Sequence, residues 1–192
     1  DGTEAGTQLV RDIEPGSFSS WPTALTAANG ALYFFTQTSY ALWKSDGTTA
    51  GTQSLHSSFS SISFPSGNIT VHNNALFYGA SDGTLGTELW MTDLNSGHTA
   101  LVYDIYPGEG SSNPSRMTSV GSLLYFAAQD PTHGSELWTS AGVAGSASLL
   151  ANIAPDLGSS DPGGFVADGD RVFFLAYEED TGYELWTSDG TA

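Results

Sequence analysis

Four Leu-Trp pairs, closing at Trp43, Trp90, Trp138 and Trp186, stand 47, 48 and 48 residues apart. This spacing constrains the fold more than any other feature of the chain. A self-similar period near 45 residues is one supersecondary unit written several times, and each copy needs its neighbours to bury its apolar faces. Aligned on the tryptophans, each unit reads as four short strands. Strand one is "ALTA" 24–27, "NITV" 68–71, "MTSV" 117–120 and "GFVA" 164–167. Strand two is "ALYFF", "ALFYG", "LLYFA" or "RVFFL", strand three is the Leu-Trp element, and strand four is 7–13, 52–58, 99–105 and 147–153. Between strands one and two stand Asn29-Gly30, Asn73-Asn74, Gly121-Ser122 and Gly169-Asp170, residue types that accept the positive φ of tight hairpins.

Strand two is apolar on both faces, as expected of a small sheet held between two others, with Leu and Trp of strand three pointing into opposite interfaces. The predicted fold is all-β: a four-bladed β-propeller, four antiparallel strands per blade. The whole chain, 1–192, makes one domain, with repeats at about 14–58, 59–105, 106–153 and 154–192. Residues 1–13 hold a strand four without its strand three, and the chain stops after a strand three. The N-terminal strand is therefore expected to complete the last blade and close the ring, removing an exposed edge. A segment of a longer array has the same register and stays open as the alternative.

The motifs "GTELWMT", "GSELWTS", "GYELWTSDGTA" and "ALWKSDGTTAGT", with "LVRDIEPGS" and "LVYDIYPGE", resemble the ELWxxDGT repeat family of exported, mostly bacterial proteins. The resemblance covers essentially the whole chain. It implies a propeller-like β array and export, and it brings no catalytic residues with it. Departures are Ala41 in place of the glutamate, Asp93-Leu94-Asn95 in place of Asp-Gly-Thr, and "AGVAG" where the turn is lost.

Composition removes several function classes. Only Arg11, Lys44, Arg116 and Arg171 oppose 21 carboxylates, for a formal net charge of −17, so phosphate backbones and anionic membranes are repelled and no nucleic acid is expected as a partner. No run of about 18 apolar residues is present to insert into a bilayer. There is no cysteine for a disulfide or a thiolate metal site. With turns rich in Ser, Thr, Gly and Asn, the chain reads as a soluble secreted or cell-surface protein carrying no leader.

Asp46-Gly47 and Asp189-Gly190 read as hairpin turns rather than calcium sites, because one Asp per turn falls short of the 6–8 oxygens that calcium takes. Glu88, Glu136 and Glu184 are expected to hydrogen-bond a neighbouring blade, with Arg11, Arg116 and Arg171 as the available partners. The longer loops, from strand four to the next strand one and from strand two to strand three, share one face and mark the working side. All four loops of the first kind end in proline, preceded by Trp21, Phe64, Asn113 and Asp161. Aromatic and polar groups around one mouth suit a glycan or another polar small ligand. Trp21 either serves that ligand or packs on Pro22 and Phe18.

The loops from strand two to strand three add His133, which joins the ligand-binding set, and Asp82, Asp130 and Glu178, each eight residues before its Trp. The cluster Glu178, Glu179 and Asp180 is the candidate for a divalent cation, calcium being the one considered. The alternative, that these carboxylates start turns on a solvated rim, is favoured because carboxylates are mostly exposed. The histidines fall at non-equivalent repeat positions and no nucleophile or metalloprotease motif appears, so no enzyme is expected, and a hydrolase is the remote alternative. Asn68 heads an N-glycosylation sequon. The leading expectation is a non-catalytic extracellular binding module for a glycan or small polar ligand. The alternative is a structural or assembly subunit that binds copies of itself.

Overall fold

The computed structural model describes residues 2–63, 69–155 and 158–191, and among them all regular structure is β. The strands make four antiparallel sheets, one per repeat. The first holds β1 (Pro22–Ala28), β2 (Ala31–Thr36), β3 (Leu42–Ser45) and β4 (Gln53–His56). The second holds β5 (Ser61–Ser63), β6 (Thr70–His72), β7 (Ala75–Ser81), β8 (Glu88–Asp93) and β9 (Thr99–Tyr103). The third holds β10 (Ser115–Val120), β11 (Leu123–Asp130), β12 (Gly134–Ser140) and β13 (Ser148–Ala151), and the fourth β14 (Gly163–Asp168), β15 (Arg171–Glu178) and β16 (Gly182–Ser188). The chain divides into two compact units, Asp1–Phe59 and Ser60–Ala192.

The local causes are those the sequence supplies. Asn29 and Gly30, at φ 48° and 74°, and Asn73 and Asn74, at 45° and 61°, turn β1 into β2 and β6 into β7 through two-residue hairpins that need positive φ at both positions. Strand one carries a bulge in three repeats, between Thr23 and Thr26, Ser115 and Thr118, and Gly163 and Val166. At its centre Ala24, Arg116 and Gly164 take left-handed backbone. Arg116, not Met117, is thus the counterpart of Ala24, and the third copy of strand one starts one residue earlier than its sequence alignment suggests. In the second repeat strand one is divided: β5 and β6 both pair with β7, on either side of residues 64–69.

Two interfaces build the core of the second unit. Leu89 and Phe77 of the second sheet pack with Phe126 and Trp138 of the third. Leu137 and Tyr125 of the third pack with Val172, Phe174 and Trp186 of the fourth. Leu and Trp of strand three therefore serve opposite interfaces, as expected. β7 is buried along its whole length, whereas β15 alternates between buried and exposed residues, because one face of the fourth sheet is uncovered. Leu185 is 69% exposed where its register counterparts Leu42, Leu89 and Leu137 are 0%. Closure through a strand at 7–13 is corrected: that segment forms no strand, and among the described residues none pairs with the outer edge of β16.

Each junction in the second unit is locked by a buried glutamate. The Glu88 carboxylate accepts the amides of Ile105 (2.9 Å), Tyr106 (3.4 Å) and Ser112 (2.9 Å) and the Ser112 hydroxyl (2.6 Å). Glu136 accepts those of Ile153 (2.9 Å), Ala154 (3.2 Å) and Ser160 (3.1 Å) and the Ser160 hydroxyl (2.6 Å). Both carboxylates are fully buried and hold the loop that carries the chain from one sheet to the next. Their partners are amides and serines, not the arginines the sequence suggested. Burial pushes the Glu88 carboxyl up against these four bonds.

Leu137→Ala is expected to lower stability in urea by about 3 kcal/mol, since it opens a cavity in a closed interface, while Leu185→Ala in dilute protein stays within about 0.5 kcal/mol. Glu136→Gln turns an NH2 group toward donors that need an acceptor, and the same titration should show a loss of about 2–4 kcal/mol. Glu184→Gln, at the exposed counterpart, should leave the midpoint where it was.

Candidate functional site

The pre-proline residues sit where the bulged strand one begins. Trp21, Asn113 and Asp161 have φ of 47°, 48° and 44°, and all three are exposed. Left-handed backbone is rare for a residue with a Cβ and costs about 1 kcal/mol. The amides of Asn113 and Asp161 donate to Thr87 and Ser135 carbonyls at 3.1 and 3.2 Å, so the loop closes on the strand-three entrance of the preceding sheet. Trp21 is 64% exposed, and its carbonyl, like that of Ser20, accepts the Gln37 amide. Most of the Trp21 side chain therefore stands in solvent, and Phe18 is itself exposed.

Ser63 pairs with Gly79 as Thr23 pairs with Phe35 and Ser115 with Ala127. Counting back, Ser61 occupies the place of Trp21, Asn113 and Asp161. Phe64, like Asn68, lies outside the described residues. In the third and fourth repeats the loops are tied together by Arg116, whose Nη1 donates to the carbonyls of Asp161 and Pro162 at 3.0 and 2.9 Å.

The acidic residues of the other loops are engaged in their own turns. Asp46 and Asp189 accept the amide and hydroxyl of Thr48 and Thr191, and these bonds hold both carboxyls below the ordinary range. Asp93 does the same with Ser96 and Asn95, so the departure Asp93-Leu94-Asn95 keeps the turn chemistry. Asp82 accepts from Thr84 and Leu85. His133 belongs to such a turn too: its Nδ1 lies 2.8 Å from Asp130 Oδ2, and its amide donates to Asp130 Oδ1. Partial burial pushes Asp130 up, but the bonds from His133 and Thr132 outweigh it and leave the carboxyl lowered. Glu178 accepts the Thr181 hydroxyl. Neither Glu178, Glu179 and Asp180 nor any other trio of His, Asp and Glu among the described residues is grouped to hold a metal ion.

One concavity was not anticipated. In the first unit Leu9, Val10 and Ile13 lie over Leu25, Leu32 and Phe34 and line an apolar pocket. Arg11 stacks on Trp43 with 5.5 Å to the ring centroid and donates to the Thr52 carbonyl, and Thr49 Oγ1 donates to the Val10 carbonyl at 2.7 Å. The signal was present in the sequence as a strand four without a strand three: such a segment keeps its lateral contacts even where its ladder is missing.

No protein-family model matches the chain, and no curated protein matches it. Among solved structures it is similar to TolB from Acinetobacter baumannii, at 11% identity and a TM-score of 0.50, over 88% of this chain and 43% of that one. It is also similar to a TolB-type protein from Agrobacterium tumefaciens, at 13% identity and a TM-score of 0.48, over 88% and 74%, and to puromycin hydrolase, at 13% identity and a TM-score of 0.47, over 84% and 26%. The chain thus spans less than half the length of the Acinetobacter protein. The likeness shows a TolB-like propeller type of fold, all-β and built of antiparallel sheets.

Proposed function

We propose that this chain is a non-catalytic extracellular binding module of the ELWxxDGT kind, secreted or held at the cell surface, which takes a glycan or another polar small ligand on its pre-proline loops. The observation that carries the reading is Trp21, whose ring stands in solvent on a backbone that costs free energy to hold. An exposed indole offers a flat apolar surface to a sugar ring and an N–H to its hydroxyls. The same loop position holds Asn113 and Asp161, exposed hydrogen-bonding groups set in the same backbone conformation. The groups otherwise suited to acid–base chemistry, Glu88, Glu136, Asp130 and His133, are spent on amides, hydroxyls and one another, which favours binding over turnover.

Trp21 is the most exposed of the five tryptophans, so its emission reports the site. Titration with a panel of soluble oligosaccharides is expected to quench or blue-shift fluorescence in a saturable way for at least one member. Trp21→Asn, which places the residue of the third repeat in the same left-handed backbone, should abolish that response with an unchanged urea midpoint. A panel that leaves the emission flat, or binding by another readout that survives Trp21→Asn, would sink the proposal.

A further inference from the structure

His72 ends β6 inside the second unit and is 2% exposed, a degree of burial unusual for a histidine. Its Nδ1 lies 2.7 Å from the Ser119 hydroxyl of β10 and its Nε2 2.9 Å from the Asn73 side-chain nitrogen. An amide nitrogen can only donate, so Nε2 is the bare acceptor and Nδ1 carries the proton that Ser119 receives. Two residues back, Thr70 Oγ1 donates to the Met117 carbonyl at 3.1 Å, so alternate residues of β6 fasten the second sheet to the third. The turn after β12 closes over the ring. A Cβ at Gly142 would lie 2.9 Å from His72 Cδ2 and 3.2 Å from Phe77 Cζ, and the imidazole meets Phe77 edge-on with 5.9 Å between centroids.

The stretches packed about the ring carry no charge: no Asp, Glu, Lys or Arg occurs at 57–81, 117–129 or 137–155. Tyr78 of β7 bonds Thr92 at 2.6 Å, and burial pushes its hydroxyl up to about 12. Arg116, near the head of β10, is held by the Asp161 and Pro162 carbonyls. Asp170, in the hairpin of the fourth sheet, stands 3.9 Å from where a Gly121 Cβ would be. Among the described residues no carboxylate pairs with His72.

The departure of the third repeat from the motif falls at this spot. Asp46, Asp93 and Asp189 each stand three residues after the repeat tryptophan, and Ala141 holds that place in the third repeat. Such an aspartate acts on the sheet before it. Tyr125 is the register counterpart of Phe77, and a Cβ at Gly190 would lie 2.6 Å from its hydroxyl. Burial, and after it the Asp189 charge, pushes that hydroxyl's pKa up. The turn that packs on a buried imidazole is thus a turn that has lost its carboxylate.

We propose that His72 is an acid-sensitive catch between the second and third sheets: the neutral ring fastens β6 to β10, and protonation releases it. A second proton, at Nε2, meets the NH2 group of Asn73. Turning that amide over supplies an acceptor, yet the charge stays buried with no carboxylate to offset it. Burial holds the ring's pKa below the ordinary histidine range, outweighing the opposite effect of the Ser122 backbone. Because the folded value lies below the unfolded one, the contribution to stability is complete above the unfolded value and is lost as pH falls towards the folded one. That window lies just under neutrality, above the range of the turn aspartates, whose carboxyls are held low. The catch is independent of the ligand site.

Nuclear magnetic resonance of the full chain can follow each of its four histidine rings. The His72 ring is expected to titrate below the ordinary histidine range. The amides of Gly142 and Gly145 are expected to exchange with solvent at least about threefold faster at about pH 5.5 than at about pH 7.5, after correction for intrinsic rates. His72→Gln, which keeps a donor and an acceptor but takes no proton, should remove that acid dependence. Ala141→Asp should move the ring's titration to higher pH and shrink the loss of protection. A His72 ring that titrates at or above the ordinary range overturns the proposal, and so does protection that stays level through its titration. An Ala141→Asp chain whose ring titrates no higher than the wild-type ring does the same. Both wild-type readouts decide the matter whether or not the glutamine variant folds.

Discussion

A buried carboxylate accepting four hydrogen bonds is the interaction on which the rest of this architecture depends. Glu88 and Glu136 sit at the start of strand three and gather the exit of strand four and the entry of the next sheet onto one group. An ionised side chain is costly to bury unless its oxygens are satisfied; here the donors are backbone amides that the loop would otherwise have to bury unpaired. Each problem resolves the other, and the geometry holds only if the loop has one shape. The junction out of the first sheet follows a different plan. Ala41 stands in place of the glutamate, the loop is shorter, and Phe59 packs against Phe35 and His56. The division of the chain into two units falls at that junction.

The sheets were legible in the sequence because their signals are local and repeated: Asn-Gly and Asn-Asn turns, apolar strand-two runs and a Leu-Trp step that serves two opposite interfaces. What escaped was set by register rather than by residue type. Proline looked like a marker of equivalent loop ends, and it is one in the first, third and fourth repeats. In the second repeat the register of β5 against β7 gives that place to Ser61, while Phe64 and Pro65 lie outside the described residues. The glutamate partners escaped for a related reason. Salt bridges are sought between side chains, yet the donors here are main-chain groups that leave no trace in composition beyond the serine recurring at 20, 112 and 160.

The same accounting separates turn chemistry from site chemistry. Seen as letters, Asp82, Asp130 and Glu178 share a register and suggest converging carboxylates. In place, Asp82 and Asp130 each accept amides two and three residues further on, which is what an aspartate at the start of a turn does with its oxygens. The His133 side chain closes the turn that Asp130 begins. Trp21 and Asp161 differ from these groups, since among the described residues no turn hydrogen bond engages their side chains.

This gives the pre-proline position its meaning. Trp21, Asn113 and Asp161 share left-handed backbone although their side chains have little in common, and tryptophan gains none of the local hydrogen bonds that help Asn and Asp tolerate that conformation. The conformation is therefore demanded by the loop, which must turn from the preceding strand four into a bulged strand one, and not by the side chain it carries. A position whose backbone is fixed by its surroundings and whose side chain points to water can change identity at little cost to the fold. Substitution at such a place alters what the surface binds while the scaffold beneath it stays the same.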